Sequence, residues 1–255
     1  MRKTKEKPQS LPLSSGYREE GRGDKSSGRL RMTAPSFAPI LAAAEARHGA
    51  RGLAARLPPV KGREELKAYP DDRYLSQMAL RIFRAGLKHS LVDKKWPAFE
   101  EVFSGFEPRA VRAMRDEEIE GLLGDRRLIR HLGKLRAVRD NAAAMLRIAA
   151  EHGSFGAFLA EWPQTSIVAL WERLAECFKG MGGNSAPSFL RMVGKDTFIL
   201  TASVVAALRH WEATEAPPKS RSERAFVQSL FNAWKEETGR PLAHLSMILA
   251  LSVEE

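Results

Sequence analysis

Apolar residues from Phe37 onward recur at helical spacing, and no segment alternates apolar and polar side chains as a half-buried strand does. In the clearest stretch, residues 75–87, apolar and small side chains follow the i, i+3, i+4, i+7 pattern of one buried helix face. Asp71 or Asp72 precedes this stretch and is predicted to cap the helix. The pattern therefore predicts an all-α fold. Further helices are expected at 37–48, 96–103, 108–114, 116–123, 134–151, 167–178, 200–211, 221–237 and 241–253.

Composition divides the chain into a tail and a domain. Residues 1–31 are rich in Lys, Arg, Ser and Gly, so we expect a disordered basic tail, with Met32 as an alternative start. Residues 32–255 are predicted to form a single helical domain, because 44% of the chain is hydrophobic. No apolar run reaches the roughly 20 residues that span a bilayer, and the N-terminus lacks the apolar core of a signal peptide. We therefore expect no membrane contact and a cytoplasmic location.

The formal net charge is +10, and half of this excess lies in the tail, which has nine Lys or Arg and four Asp or Glu residues. The remainder favours a polyanionic partner such as nucleic acid, although a basic surface without a partner is the common alternative. The single cysteine, Cys177, excludes an internal disulfide and makes a thiolate metal site hard to assemble. Its apolar neighbours predict a buried structural thiol, and no metal or other cofactor is expected.

A glycine-rich turn lies between two predicted helices at about 178–204. Gly180, Gly182 and Gly183 form the turn, and Asn184 or Ser185 is predicted to cap the helix that follows. Glycines let backbone N–H groups approach a phosphate without a Cβ in the way, and the helix N-terminus adds a favourable dipole. The turn therefore predicts a site that holds a DNA backbone without reading its sequence. From the glycines alone, a plain helix–helix corner is the alternative.

This window resembles the helix-hairpin-helix motif of base-excision DNA glycosylases, with residues 199–204 matching the end of the motif. The resemblance implies that Thr201 stands where most of that superfamily has a catalytic carboxylate. It also implies that Asn184 stands where bifunctional members carry a Schiff-base Lys, so lyase chemistry through that Lys is excluded. A carboxylate stabilises the positive charge that develops on the sugar when an N-glycosidic bond breaks, and a Thr does not. Thr201 therefore fits a substrate base that leaves easily, such as a cationic N-alkylated purine, or a protein without activity.

The N-terminal half, from residue 74 to residue 159, contains a series of short motifs in a fixed order. They are Ala85-Gly86-Leu87, Lys94-Lys95, Phe103, Gly105-Phe106 with Pro108, Ile129-Arg130 followed by Lys134, Asn141-Ala142 and Gly153-Ser154-Phe155. In these motifs the segment resembles the DNA-3-methyladenine glycosylase I family. The resemblance implies two helical lobes with a cleft between them, and an activity on DNA that carries 3-methyladenine. It also implies that the superfamily carboxylate is not needed, because that family lacks it.

On this resemblance, Arg81 occupies the position of the family's base-recognising Glu, and His89 that of its pocket Trp. An Arg donates hydrogen bonds and repels a cationic base, whereas a Glu accepts hydrogen bonds and attracts one. Tyr74 and His89 are the better candidates to stack on a flipped base, and Phe83 and Trp96 are more typical of a core. The family's structural zinc site has no matching Cys residues here, so no metal is predicted.

Four basic side chains are candidate phosphate contacts. Lys179 and Lys195 flank the hairpin, and Arg130 and Lys134 lie where the helix at 134–151 begins. A solvated charged face is the alternative for each of them.

Together these features predict a monofunctional, monomeric DNA glycosylase that acts on damaged double-stranded DNA and releases an alkylated purine such as 3-methyladenine. The alternatives are a non-catalytic DNA-binding module on the same scaffold and a glycosylase for a neutral or carbonyl-bearing lesion. The sequence identifies neither the lesion nor the group that activates water.

Overall fold

A computed structural model describes residues 34–254, and every regular element among them is helical. The all-α class is therefore confirmed. The predicted tail at 1–31 and the alternative start Met32 lie outside the described residues. Besides three short 3-10 helices, the described residues form fourteen α-helices: α1 (Ala38–His48), α2 (Ala50–Ala54), α3 (Arg63–Ala68), α4 (Asp71–Arg84), α5 (His89–Val102), α6 (Pro108–Ala113), α7 (Asp116–Gly121), α8 (Leu132–His152), α9 (Phe155–Glu161), α10 (Ile167–Cys177), α11 (Ser185–Met192), α12 (Ala202–His210), α13 (Arg221–Thr238) and α14 (Leu242–Leu251).

Helix α4 is the amphipathic helix that the sequence indicated most clearly, and its apolar face is buried in the core. Pro70, in an extended conformation, takes the N-cap position, so the predicted cap Asp71 is instead the first helical residue. Its carboxylate accepts a hydrogen bond from the backbone N–H of Phe155 at 3.0 Å, and burial raises the pKa of this carboxyl group. Asp71 therefore joins the start of α4 to the start of α9.

The helices pack as two groups. One group contains α3 to α9, with α8 against α4, α6 and α9, and the other contains α1, α2, α10, α12, α13 and α14. Helix α11 packs against both α4 and α10, so it connects the groups. The described residues belong to one compact unit with a continuous hydrophobic core.

Aromatic side chains fill the core beneath α4 and α5. The Trp96 ring stacks on Phe99 and Phe106, with centroids 5.0 and 5.4 Å apart, and Phe83 lies 4.6 Å from Phe99. The Trp96 indole donates a hydrogen bond to the Ser76 hydroxyl at 3.1 Å. Phe83 and Trp96 are thus core residues, as their spacing indicated.

The short helices α2, α3 and α9 and the first half of α5 were not expected from the periodicity. Helices of five to seven residues are marginal alone and depend on tertiary packing. Helices α3 and α9 stabilise each other through close contact, and a Cβ added to Gly156 would collide with the Leu66 carbonyl oxygen. Cys177 is half-buried at the end of α10, not fully buried as predicted.

Candidate nucleic-acid interface

The glycine-rich turn forms an ordered hairpin between α10 and α11. Met181 is fully buried and fixes the middle of the turn, whereas Gly180, Gly182 and Gly183 are exposed. Gly180 and Gly183 have φ angles of +76° and +56°, a region in which a side chain is strained. The hairpin therefore presents glycine backbone to solvent on a turn whose centre is fixed to the core.

Asn141 on α8 holds the first residue of this turn from beneath. Its Oδ1 accepts a hydrogen bond from the backbone N–H of Lys179 at 2.7 Å, and its Nδ2 donates to the Lys179 carbonyl at 3.0 Å. Asn141 is buried, while the Lys179 residue is exposed. The sequence resemblance included Asn141 without indicating this role, because its partner lies 38 residues away.

Helix α4 supports the hairpin from a second side. A Cβ added to Gly180 would lie 3.0 Å from Cγ1 of Ile82, so the glycine permits the turn to approach α4 closely. The hairpin is therefore positioned by α8 and α4 together.

The hairpin is also tied to the start of α12. Asn184 precedes α11 as predicted, but its side chain does not cap that helix; Nδ2 donates to the Leu200 carbonyl at 2.8 Å. The next residue, Thr201, caps α12, with Oγ1 accepting from the Val204 backbone N–H at 3.2 Å. Ser185 is half-buried at the first turn of α11. Thr201 thus lies beside the hairpin, and it carries a hydroxyl where the resemblance implies the superfamily's catalytic carboxylate.

We use the name hairpin surface for the exposed residues Lys179, Gly180, Gly182, Gly183, Asn184 and Thr201. This surface combines backbone amides, small polar side chains and one ammonium group without a carboxylate among them. Such a set suits an anionic ligand such as a phosphodiester.

Lys195, predicted to bind phosphate, is buried and faces away from solvent. Only 3% of the residue is exposed, and its Nζ donates to the Trp162 carbonyl at 3.0 Å. Burial lowers the pKa of Lys195 to about 8, partly opposed by the Asp196 carboxylate. Lys195 therefore joins the segment before α12 to the residue that follows α9, and it is removed from the candidate DNA contacts.

This buried lysine predicts a pH dependence of stability. Because its pKa is lower in the folded chain than the ordinary 10.5, the unfolded chain binds more protons between about pH 8 and pH 10.5. We expect the free energy of unfolding of the wild type to rise over this range relative to Lys195→Met, by on the order of 1 kcal/mol. Urea unfolding of both proteins at several pH values measures the difference. Parallel curves for the two proteins would contradict the buried, deprotonating lysine.

Lys134 and Arg130, the other predicted phosphate contacts, differ from each other. The Nζ of Lys134 donates to the Ala85 carbonyl at 2.8 Å, which satisfies the C-terminal end of α4, and burial lowers the pKa of this lysine. Lys134 therefore holds the end of α4, and because its side chain is only half-buried it stays a candidate phosphate contact. Arg130 is exposed in the loop before α8 and stays a candidate.

The three predicted base-pocket residues differ in their exposure. Tyr74 is fully buried, and its hydroxyl donates to the Leu66 carbonyl at 2.8 Å, so the prediction that it contacts a base is corrected. His89 is exposed at the start of α5, and Arg81 is half-buried on α4. The Arg81 Nε is buried without a hydrogen-bond partner; burial lowers the pKa of this guanidinium, and Arg84 lowers it further.

The core position of Tyr74 gives a direct prediction. Tyr74→Phe removes the hydroxyl that donates to the buried Leu66 carbonyl. We therefore expect the free energy of unfolding to fall by about 1–2 kcal/mol. DNA affinity should not change. Tyr69→Phe is the matched control, because the neighbouring Tyr69 ring packs against Tyr74 at 4.8 Å and is only half-buried. A loss of DNA affinity in Tyr74→Phe but not in Tyr69→Phe would show that Tyr74 contributes to DNA binding.

Within the described part of the chain, no three His, Cys, Asp or Glu side chains come together as a metal site. The helices at 34–254 include none that is long and apolar enough to cross a membrane.

When the chain is compared with known protein families, the matching region ends within the hairpin. Residues 66–181 match the family described as methyladenine glycosylase. DNA-3-methyladenine glycosylase 1 of Escherichia coli (strain K12) is 38% identical over 79 residues, which cover 31% of this chain and 42% of that protein. The chain therefore spans about two fifths of the length of this curated relative.

Two solved structures also match parts of this chain. The 3-methyladenine DNA glycosylase I from Staphylococcus aureus is 24% identical with a TM-score of 0.47, over 59% of this chain and 89% of that one. The 8-oxoguanine glycosylase/lyase of Methanocaldococcus jannaschii, solved with a 15mer DNA, is 15% identical with a TM-score of 0.48, over 82% and 93% of the two chains. The family match agrees with the resemblance at 74–159. Over residues 66–181, this chain is similar to the methyladenine glycosylase family.

Proposed function

We propose that this chain is a DNA glycosylase that hydrolyses the N-glycosidic bond of an alkylated purine, such as 3-methyladenine, in damaged duplex DNA. The observation that carries the proposal is the hairpin surface, because Asn141 and Gly180 fix it to the same helices, α8 and α4, that lie within the family region. The protein is expected to act as a monomer.

In this mechanism the hairpin surface binds the DNA backbone next to the lesion. The exposed amides of Gly182 and Gly183 and the Lys179 ammonium contact phosphate, which positions the duplex while the damaged nucleotide turns out of the stack. Water then bonds to the sugar C1′ and loses a proton to solvent. The purine leaves with the electron pair of the C–N bond, which neutralises the positive charge of an N-alkylated base.

The side chain at position 201 determines how easily the substrate base must leave. The Thr201 hydroxyl already accepts the Val204 N–H and carries no charge, so it does not stabilise a cationic sugar as a carboxylate does. The driving force therefore comes from the base itself, and a cationic alkylated purine meets this requirement.

Asn184 also defines the reaction class. Its amide lacks the amine that forms a Schiff base. Lys195, beyond the other end of α11, is buried and donates to the Trp162 carbonyl. We therefore propose hydrolysis without strand cleavage.

The experiment uses duplex oligonucleotides, each with one defined lesion, incubated with the purified chain. We expect abasic sites at an alkylated purine, seen as strand breaks only after alkali treatment. Breaks before alkali treatment would contradict the monofunctional reaction, and the absence of abasic sites on every lesion would contradict the activity.

The second candidate is a DNA-binding module without activity, favoured by Arg81. Its guanidinium lies near Arg84 and Lys134, and this cluster of positive charge would repel a cationic base. The same charge suits a neutral or carbonyl-bearing base, which is the third candidate. Binding to abasic-site DNA without release of any base supports the module, and release of an oxidised or deaminated purine supports the altered specificity.

A further inference from the structure

The loop that precedes α8 is held by the ammonium group of Lys95 on α5. We use the name arginine loop for its residues 125–131. The Lys95 Nζ donates to the carbonyl oxygens of three consecutive residues, Arg126 at 2.8 Å, Arg127 at 3.0 Å and Leu128 at 3.4 Å. An ammonium group has three N–H donors, so the loop engages all of them. The Leu128 side chain is buried in the core. The backbone of the arginine loop is therefore fixed from α5 and from the core.

Arg127 forms its contacts within the protein. Its guanidinium donates to both carboxylate oxygens of Glu101, at 3.1 and 2.9 Å, and to the Asp125 carboxylate at 2.8 Å. Hydrogen bonds from Arg127 lower the pKa of the Asp125 carboxyl group, and the charge of Lys95 lowers it further. Arg127 and Lys95 together thus balance the two carboxylates of this region.

Arg126 and Arg130 remain free on the same loop. Both residues are exposed, and neither side chain makes a hydrogen bond or an ion pair with any residue at 34–254. The two guanidinium groups therefore carry a charge that no carboxylate of the described chain compensates. Because the loop backbone is already fixed, less conformational freedom is lost when they bind a ligand.

We propose that the arginine loop is a second contact for the DNA backbone, in which Arg126 and Arg130 bind phosphates and Lys95 is a positioning residue; this inference rests on the proposed function. A guanidinium donates two parallel hydrogen bonds to a phosphate, a geometry that an ammonium group does not offer. Lys95 itself does not contact DNA, since its donors are used on the loop carbonyls. The interface of this chain thus consists of the hairpin surface and the arginine loop.

Helix α8 connects these two parts of the interface. It begins at Leu132, directly after the arginine loop, and it carries Asn141, whose side chain holds the Lys179 backbone in the hairpin. At 1.5 Å per residue, Leu132 and Asn141 are about 14 Å apart along the helix axis, which corresponds to about four base steps of a duplex. One duplex is therefore long enough to contact both parts.

Substitution of the two free arginines tests the contact directly. Arg126→Gln and Arg130→Gln should each weaken binding of duplex DNA about threefold or more, and each should reduce the slope of log K against log salt concentration by about 0.9. The loss should be equal on undamaged and abasic-site duplexes, because a phosphate contact does not read the base. Arg147→Gln is the matched control and should keep the wild-type slope. Arg147 is also exposed, lies near the other end of α8 and has no partner among the described residues.

Lys95→Met tests the positioning role, because it keeps an unbranched side chain and removes the donors to the loop. We expect a loss of DNA affinity of about threefold or more on protein that circular dichroism shows to be folded. Lys94→Met makes the same change of charge at the adjacent exposed residue, which has no side-chain partner in the described part of the chain, and it should bind as the wild type does. In a chain that already carries Arg126→Gln and Arg130→Gln, Lys95→Met should have no further effect, because Lys95 acts through those two side chains.

Wild-type affinity and salt slope in both arginine variants would overturn the proposal, and so would an equal loss in Arg147→Gln. If Lys95→Met weakens binding by the same factor with and without the two arginines, its assignment as a positioning residue is wrong. If the wild type releases base while the arginine variants bind DNA as it does, the glycosylase function stands and the second contact falls. If the arginine variants lose affinity and salt slope while the wild type releases no base from any lesion, the second contact stands and the glycosylase function falls.

Discussion

Gly182→Val is expected to lower the affinity for duplex DNA with an abasic-site analogue at least about tenfold, equivalent to about 1.4 kcal/mol. The backbone of Gly182 is not in the left-handed region, and a Cβ at this position meets nothing within 4 Å in the protein. The valine side chain therefore projects from the hairpin surface into the space that a phosphate would occupy. The free energy of unfolding should change by less than about 0.5 kcal/mol.

Gly124→Val is the matched control for this variant. Gly124 is exposed, is not in the left-handed region and also has nothing within 4 Å of an added Cβ, but it lies after α7. We expect it to bind DNA as the wild type does. Gly183→Val is a weaker test, because its φ angle of +56° adds backbone strain of roughly 1–2 kcal/mol to any effect on binding. Wild-type DNA affinity in Gly182→Val would remove the hairpin from the interface.

Asn141→Ala should lower both the stability of the fold and the affinity for DNA. The substitution removes two hydrogen bonds to the Lys179 backbone and leaves its N–H and carbonyl without these partners. Two unsatisfied groups at about 1–3 kcal/mol each would cost about 2–6 kcal/mol. Because Lys179 is exposed and water reaches it, we expect the lower half of this range, a loss of about 2–4 kcal/mol in the free energy of unfolding. Because Lys179 then loses its anchor, affinity for abasic-site DNA should also fall about tenfold or more.

Asn232→Ala provides the comparison for this variant. The Asn232 side chain on α13 also makes two hydrogen bonds, to the Thr165 carbonyl and from Gln228. Its loss should destabilise the chain without a change in DNA affinity, measured on protein that circular dichroism shows to be folded. Unaltered stability in Asn141→Ala would contradict the role of these two hydrogen bonds in holding the Lys179 backbone.

The helix pattern was predictable wherever an apolar face ran for several turns. Helix α4 follows from its repeat alone, whereas α3 and α9 depend on contact between segments about 90 residues apart in the sequence, which no local repeat records. The burial of Tyr74 is predictable from its spacing. It lies four residues before Met78 and eight before Ile82, on the buried face of α4, so its spacing indicates a core residue.

The site was predictable as a motif but not as a set of contacts. The glycines and Asn184 indicated the hairpin, yet the bond from Asn184 to Leu200 spans 16 residues and replaces the expected helix cap. Lys195 follows a glycine in a polar stretch that is typical of an exposed turn. Its burial depends on the Trp162 carbonyl, 33 residues earlier, and thus on the assembled fold.

Release of free 3-methyladenine from methylated duplex DNA, measured by chromatography of the soluble bases, tests the central claim most directly. The account predicts release that increases with protein concentration, is retained in Gly124→Val and is strongly reduced in Gly182→Val. No release of methylated purine by wild-type protein that still binds the DNA would contradict it.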